Sequence, residues 1–144
     1  MIIIDTGPFV ALFDPLDAQH TFCRTVLASL RSPLWTTEPV LTEAFHILSP
    51  ESIGSSRLRD FVLGGGAAVR SLEKQDIARA FELMETYRDH PMDFADASVI
   101  VAAERLSTRK VFTLDGRDFG TYRVLRGHQR LAVEIVGRQG RSRS

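Results

Sequence analysis

The sequence predicts an α/β fold in three layers, an α/β/α domain with a central, mainly parallel sheet. Short apolar runs alternate with longer segments whose apolar residues recur at helical spacing. Residues 2–4 are wholly apolar, as expected of a buried parallel strand, and the run stops abruptly at Asp5. A second run, 111–114, also stops at an acid, Asp115. Because active crevices of open α/β sheets lie outside the carboxyl ends of the strands, both acids are expected at such a crevice.

Turn residues divide the chain into elements in a regular order. Pro15 ends a first short helix, because the residue before a proline resists helical geometry, and Pro33 ends a second. Pro39 suits the first turn of a third helix, and the glycines at 64–66 end a fourth. Helices are predicted over 9–13, from an Asp17 cap to Pro33, from 37 to 48, and over 52–63, 72–88 and 94–106. Further strands are predicted over 34–36, 67–69, 111–114 and 131–136.

The length and composition favour a single globular domain. The chain has 144 residues, of which 44% are hydrophobic and 25% charged. We expect the domain to span residues 1–136. Residues 137–144 carry three arginines and no acid, and we expect them to form a basic, disordered tail. The formal net charge of zero neither demands nor excludes a nucleic-acid partner.

The composition also predicts a cytoplasmic protein without a membrane segment. No run approaches the roughly 18 consecutive apolar residues of a membrane span. The first residues lack the basic and apolar regions of a signal peptide. The single cysteine, Cys23, cannot form an internal disulfide.

Several site chemistries are excluded by missing patterns. The glycines at 64–66 are not part of a GxGxxG or GxxxxGK[ST] motif, so a turn is favoured over a phosphate loop. Cysteine and histidine pairs with zinc spacing are absent. No GxSxG marks a serine nucleophile.

Acidic residues form the remaining candidate site. Asp5 and Asp115 follow strands, Asp96 lies between two alanines at a helix start, and Glu43 lies beside an apolar helical face. Carboxylates gathered in a cleft repel one another and are costly to desolvate, and a hard divalent cation such as Mg²⁺ or Mn²⁺ removes both costs. Taken singly, each acid is equally explained as a helix cap or turn former. Spacing alone leaves both interpretations open.

Four segments resemble the PIN-domain family, and most closely the VapC-type toxin ribonucleases of bacterial toxin–antitoxin pairs. The resemblance covers the chain to about residue 136 and excludes the tail. The segments are Ile3-Ile4-Asp5-Thr6, Glu43, Phe94-Ala95-Asp96-Ala97, and Thr113-Leu114-Asp115-Gly116-Arg117-Asp118-Phe119. The resemblance implies a PIN-like α/β/α fold and an endoribonuclease that depends on Mg²⁺ or Mn²⁺.

The resemblance also assigns roles to the acids. Asp5, Asp96 and Asp115 would be the metal ligands, and Glu43 would complete the catalytic set directly or through water. In this hypothesis a metal-activated water, aligned by Glu43 or Asp96, attacks the scissile RNA phosphate in line. Thr6 is similar to a family residue that bonds carboxylates or metal waters beside the first acid.

Further residues would support the site. Thr113 is similar to the hydroxyl residue beside the last acid. Asp93 is either an extra ligand or the cap of the helix that carries Asp96, and the cap is favoured. Asp118 is expected to fix the loop after Asp115 rather than bind metal. Arg117 is the best candidate for contacting a substrate phosphate.

The resemblance implies partners as well. They are an RNA substrate, a small antitoxin protein of the VapB kind that blocks the site, and a second copy of the chain in a homodimer. Three alternatives stay open. A haloacid dehalogenase-type phosphatase is disfavoured because Gly7 stands where that family has its second acid. A catalytically silent PIN-like binding module, or a non-toxin PIN nuclease acting on other RNA or DNA, would share the same fold.

Overall fold

The computed structural model describes residues 1–137, and its centre is a five-stranded parallel sheet. The strand order is β3-β2-β1-β4-β7, and every neighbouring pair is parallel. The strands are β1 (Ile2–Ile4), β2 (Leu34–Thr36), β3 (Ala68–Val69), β4 (Lys110–Phe112), β5 (Arg123–Arg126), β6 (Gln129–Ala132) and β7 (Glu134–Val136). The helices are α1 (Thr6–Phe13), α2 (His20–Ser29), α3 (Glu38–Leu48), α4 (Ile53–Leu63), α5 (Lys74–Thr86), α6 (Phe94–Arg105) and α7 (Gly116–Phe119). The predicted fold class, helices flanking a mainly parallel sheet, is confirmed.

The core surrounds the central strand β1. Ile3 and Ile4 have no exposed surface, because β2 and β4 flank the strand and helices cover it. Helix α6 is buried along most of its length, from Ala95 to Ala103. A helix whose middle turns are buried on every side lies inside a protein, and the small residues of α6 let it approach the sheet closely.

Local capping explains where the helices begin. Thr37 accepts a hydrogen bond from the backbone N–H of Val40 at the start of α3. Asp93 caps α6, as the sequence predicts. The second helix differs from its prediction, because it begins at His20 rather than at Asp17. The carboxylate of Asp17 accepts from the N–H of Gln19, 2.8 Å away, and this Asx turn ends before the helix begins.

The C-terminal region departs furthest from the prediction. A single strand over 131–136 was expected, but β6 ends at Ala132 and β7 begins at Glu134. β5 and β6 form a separate antiparallel hairpin, which the sequence analysis missed. Gly127 occupies its turn with a φ of 61°, a left-handed conformation that glycine adopts without strain. β7 alone joins the main sheet, beside β4.

Two further expectations concern the ends of the molecule and the membrane. Residues 138–144, which hold Arg138, Arg141 and Arg143 of the expected basic tail, lie outside the described residues. Among the helices of residues 1–137, none combines the length and the apolar character that crossing a bilayer requires.

Candidate active site

Asp5 lies where the central strand ends and α1 begins. Its side chain is buried, with 7% of the residue exposed. The hydroxyl of Thr113 donates to Oδ2 of Asp5 over 2.9 Å, and the N–H of Asp5 donates to the carbonyl of Phe112 over 2.9 Å. Because β1 and β4 are parallel neighbours, these bonds hold the carboxyl ends of the two strands together.

Asp115 follows β4 and belongs to the same network. Its N–H donates to the hydroxyl oxygen of Thr113 over 3.0 Å. Its Oδ1 accepts from the N–H of Asp118 over 3.1 Å, which caps α7. The hydroxyl of Thr113 therefore links Asp5 to Asp115. Oδ1 of Asp118 lies 2.8 Å from Nε2 of His90, so the loop is also in contact with the segment before α6.

Asp96 enters the site from the first turn of α6. Its N–H donates to Oδ1 of Asp93 over 2.8 Å, and the N–H of Asp93 donates back to Oδ2 of Asp96 over 3.4 Å. This reciprocal capping box fixes the start of the helix. The hydroxyl of Tyr122 lies 3.5 Å from Oδ2 of Asp96 and donates to the carbonyl of Pro91 over 2.7 Å. Tyr122 is fully buried, and no pattern in the sequence pointed to it.

Glu43 enters the cleft from α3. The helix is tied to α6 by a buried bond of 2.6 Å between the hydroxyls of Thr37 and Ser98. Glu43 is half-buried and, among residues 1–137, its carboxylate has neither an ion-pair partner nor a hydrogen-bond donor. It is therefore available to a ligand.

The structure brings the four predicted acids to one open cleft of about 730 Å³. Thr6, Asp93 and Asp118 also line it, while Thr113 supports it from behind. Arg117 is exposed on α7 and is absent from the cleft wall. Asp17 is an acid of the wall that the sequence did not point to, because nothing local distinguishes it from a turn residue. The acids of the wall are Asp5, Asp17, Glu43, Asp93, Asp96, Asp115 and Asp118.

The electrostatics of the cleft favour protonation of its acids. Burial raises the pKa of Asp5 to about 6. The negative charges of Glu43 and Asp115 also raise it, whereas the hydrogen bonds from Thr6 and Thr113 act in the opposite direction. Burial, with the charges of Asp93 and Asp5, raises the pKa of Asp96 to about 8. Burial also raises the pKa of Asp115.

No lysine or arginine of residues 1–137 lines the cleft to offset this repulsion. The donor set itself suits a hard divalent cation, which prefers carboxylate and hydroxyl oxygens. One further observation points the same way: the hydroxyl of Thr6 is buried beside Asp5 and has no hydrogen-bond partner within residues 1–137.

The arrangement is not a closed metal shell. Among residues 1–137, no group of three or more histidine, cysteine, aspartate or glutamate side chains stands close enough in this conformation to enclose one ion. The chemistry of the residues fits a divalent cation, although no three of these side chains within residues 1–137 enclose one ion in this conformation.

Comparison with known proteins agrees with this geometry. The family model described as PIN domain matches residues 2–124. Ribonuclease VapC26 of Mycobacterium tuberculosis is 27% identical over 128 residues, which cover 88% of this chain and 95% of the relative. The crystal structure of VapC20 of the same organism, titled a sarcin–ricin loop cleaving toxin, superposes with a TM-score of 0.75 at 20% identity. That match covers 82% of this chain and 92% of VapC20, and it shows a common fold. The chain belongs to the PIN domain family.

Proposed function

We propose that this protein is a divalent-cation-dependent endoribonuclease and the toxin component of a toxin–antitoxin pair. One observation carries the proposal: Asp5, Glu43, Asp96 and Asp115, drawn from separate elements, line a single cleft in which no basic side chain of residues 1–137 neutralises them. The similarity to a relative named as a ribonuclease supports the choice of RNA over other phosphodiesters. Its VapC name supports the toxin role.

Asp5, Asp96 and Asp115 would hold the cation, which we take to be Mg²⁺ or Mn²⁺. When bound, such an ion supplies positive charge that offsets the carboxylate repulsion and stabilises the charge that develops on a phosphate. The residues of the chain prepare this site. Thr113 orients Asp5 by donating to it, and the same hydroxyl anchors the backbone of Asp115. Asp93 holds the first turn of α6, and with it Asp96.

Glu43 is the candidate general base. Its carboxylate lines the cleft and is engaged by no other group of residues 1–137. It can accept a proton from a water that attacks a phosphate held near the aspartates, while the P–O bond to the leaving ribose oxygen breaks. As a general base, Glu43 would differ from the three aspartates that would hold the metal. A Glu43→Gln substitution should leave cation binding intact, because the aspartates are unchanged, but remove the group that accepts the proton.

The remaining partners follow from the same proposal. An antitoxin of the VapB kind would block the cleft, and a homodimer would be the assembled form of the toxin. Arg117 would contact a substrate phosphate from the outer side of α7. A cytoplasmic location would give the enzyme access to its RNA.

The decisive experiment is cleavage of end-labelled total RNA by the purified, antitoxin-free protein. Reactions with Mg²⁺ or Mn²⁺ are compared with reactions in a chelator, and an Asp96→Asn variant is run in parallel. We expect cation-dependent cleavage that the variant loses while it stays folded by circular dichroism. Cleavage that survives both the chelator and Asp96→Asn would reject the site. A folded protein that cleaves no RNA under either ion would favour the silent binding module.

A further inference from the structure

The acidic cleft lacks the basic side chains that would bind an RNA backbone. Seven acids and no lysine or arginine of residues 1–137 line it, so its field repels phosphates except where a cation intervenes. Affinity for a phosphate backbone comes mainly from lysine and arginine contacts. The basic groups that bind the rest of the substrate must therefore lie outside the cleft.

The β5–β6 hairpin concentrates such groups. Residues 123–132 contain three arginines and one histidine and no acid. Every residue from Leu125 to Arg130 is exposed. Arg126 and Arg130 form no ion pair and no side-chain hydrogen bond within residues 1–137. Arg123 differs, because its guanidinium donates to the carbonyls of residues 120–122 and is used in the fold.

The two free arginines lie on opposite faces of the ribbon. Leu125 pairs with Arg130, and Arg126 pairs with Gln129. Because side chains of successive strand residues alternate between faces, Arg130 and Arg126 project to different sides. A narrow ribbon with an arginine on each face can contact two phosphates that lie on either side of it, as in the groove of a folded RNA.

The surroundings of the hairpin add positive charge. Lys110 is exposed on β4, and Arg109 donates from its Nε to the carbonyl of Ala132 in β6. Two acids lie close by. Glu104 is occupied by a two-point contact with Arg79 and by the N–H of Leu125, and Glu134 is exposed beside Lys110. The hairpin surface is therefore basic while the cleft is acidic.

The hairpin is connected to the cleft by a short stretch of chain. Tyr122, whose hydroxyl lies 3.5 Å from Asp96, directly precedes β5, and the first N–H of β5 donates to the hydroxyl of Tyr87 over 3.0 Å. β5 has four residues, so its turn lies roughly 15 Å from Tyr122. About four or five stacked nucleotides span that distance.

We propose that the β5–β6 hairpin is a second RNA-binding surface, on which Arg126 and Arg130 contact backbone phosphates several nucleotides from the bond that is cut. This inference rests on the proposed ribonuclease function and names the part of its substrate that the cleft does not hold. It predicts a preference for RNA long enough to reach both surfaces.

The test uses the full chain with Arg126→Gln and Arg130→Gln together. The control carries Arg57→Gln and Arg59→Gln, two exposed arginines of α4, which packs on α1 and α3. Binding is measured by fluorescence anisotropy in Mg²⁺, with Asp96→Asn added to every protein to prevent cleavage. The probes are a labelled stem-loop RNA of about 30 nucleotides and a single strand of about 2, which is too short to span the path. We expect the hairpin variant to bind the stem-loop about tenfold more weakly. The slope of the logarithm of the binding constant against the logarithm of the salt concentration should be smaller in magnitude by roughly 1.4. The short strand should bind all three proteins equally.

Steady-state cleavage by proteins with an intact Asp96 separates this inference from the proposed function. The hairpin variant should raise KM for the stem-loop about tenfold and leave kcat within about twofold, because uniform binding is lost. Wild-type affinity and salt slope in the hairpin variant, or an equal loss in the α4 control, would overturn the inference. So would a variant whose weaker binding is accompanied by self-association in sedimentation, since the arginines would then serve to protect a strand edge. Absence of cleavage by the wild type would instead count against the proposed function, and the anisotropy comparison would still decide the role of the hairpin.

Discussion

Asp5 and Asp76 are both almost fully buried, with 7% and 1% exposed, yet their surroundings carry opposite charges. Asp76, in the first turn of α5, accepts from Nε of Arg105 over 2.7 Å and lies 3.3 Å from the guanidinium of Arg70. Asp5 receives one side-chain hydrogen bond, from the neutral hydroxyl of Thr113, and faces further carboxylates.

The difference appears in how readily the two acids hold a proton. Burial acts to raise the pKa of both. At Asp76 the bonds from Glu73 and Arg105 and the charge of Arg70 outweigh burial, and its pKa is lowered. At Asp5 the pKa is raised to about 6. A buried acid that forms ion pairs with arginines is therefore a structural anchor. A buried acid that no basic side chain of the described residues neutralises is a candidate functional residue.

The largest effect that would test this contrast is on cleavage. We expect Asp5→Asn to lower the rate of RNA cleavage at least about 10²-fold, because a ligand for the cation is lost. The shape of the side chain and its acceptor for Thr113 are kept. The measurement is initial rate in Mg²⁺ or Mn²⁺. Asp60→Asn on exposed α4 is the control, and a comparable loss there would show that the assay reports charge in general.

Asp76→Asn should show the reverse pattern. Leaving Arg70 and Arg105 without their buried partner is expected to lower the free energy of unfolding by about 3 kcal/mol in urea titrations at pH 7. Cleavage per folded molecule should not change. The pKa of Asp76 is lowered on folding, so its contribution is present above the ordinary value of 3.8 and is lost as the pH falls below it. The wild type and the variant should therefore converge as the pH falls from 3.8 through the lowered pKa of the folded state.

Added cation should stabilise the cleft and leave the Asp76 anchor unaffected. A divalent ion that binds only the folded state, present at a concentration about 100 times its dissociation constant, raises the free energy of unfolding by about 2.7 kcal/mol. We expect Mg²⁺ or Mn²⁺ to raise the melting temperature of wild type and of Asp76→Asn equally, and not that of Asp5→Asn. Sodium chloride at matched ionic strength is the control. Equal stabilisation of Asp5→Asn would place the ion elsewhere.

The last expected effect is the pH dependence of the cation-free protein. The pKa values of Asp5 and Asp96 are raised to about 6 and about 8, so between about pH 4 and pH 8 the folded state binds more protons than the unfolded state. Its stability should fall as the pH rises through this window. We expect a loss of about 3 kcal/mol from Asp5, whose pKa rises from 3.8 to about 6. Asp96 should add less than its raised pKa alone would imply, because it is partly exposed. Asp96→Asn should flatten the upper part of the curve, measured by urea unfolding in a chelator, and an unchanged slope would contradict the assignment.

The sequence by itself determined the order of strands and helices from β1 to β4 and the positions of the main acids. Residues 2–4 are wholly apolar and stop at Asp5, and Asp93 stands three residues before Asp96 at a helix start. These signals are local: strand burial, helix periodicity and capping depend on residues that are neighbours in the chain. The four predicted acids consequently line one cleft in the structure. Their roles as ligands and base stay predictions.

Only the tertiary structure decided what surrounds those acids. The Thr113 hydroxyl reaches Asp5 across a sequence separation of 108 residues, and Tyr122 approaches Asp96 from 26 residues away. Asp17 joins the cleft wall, whereas Arg117 does not. The hairpin was also missed, because nothing local in 131–136 shows that the run splits between two sheets. Contacts between distant segments decide which charged side chains share a cleft and which form ion pairs with arginines. No local pattern of residue types encodes these contacts.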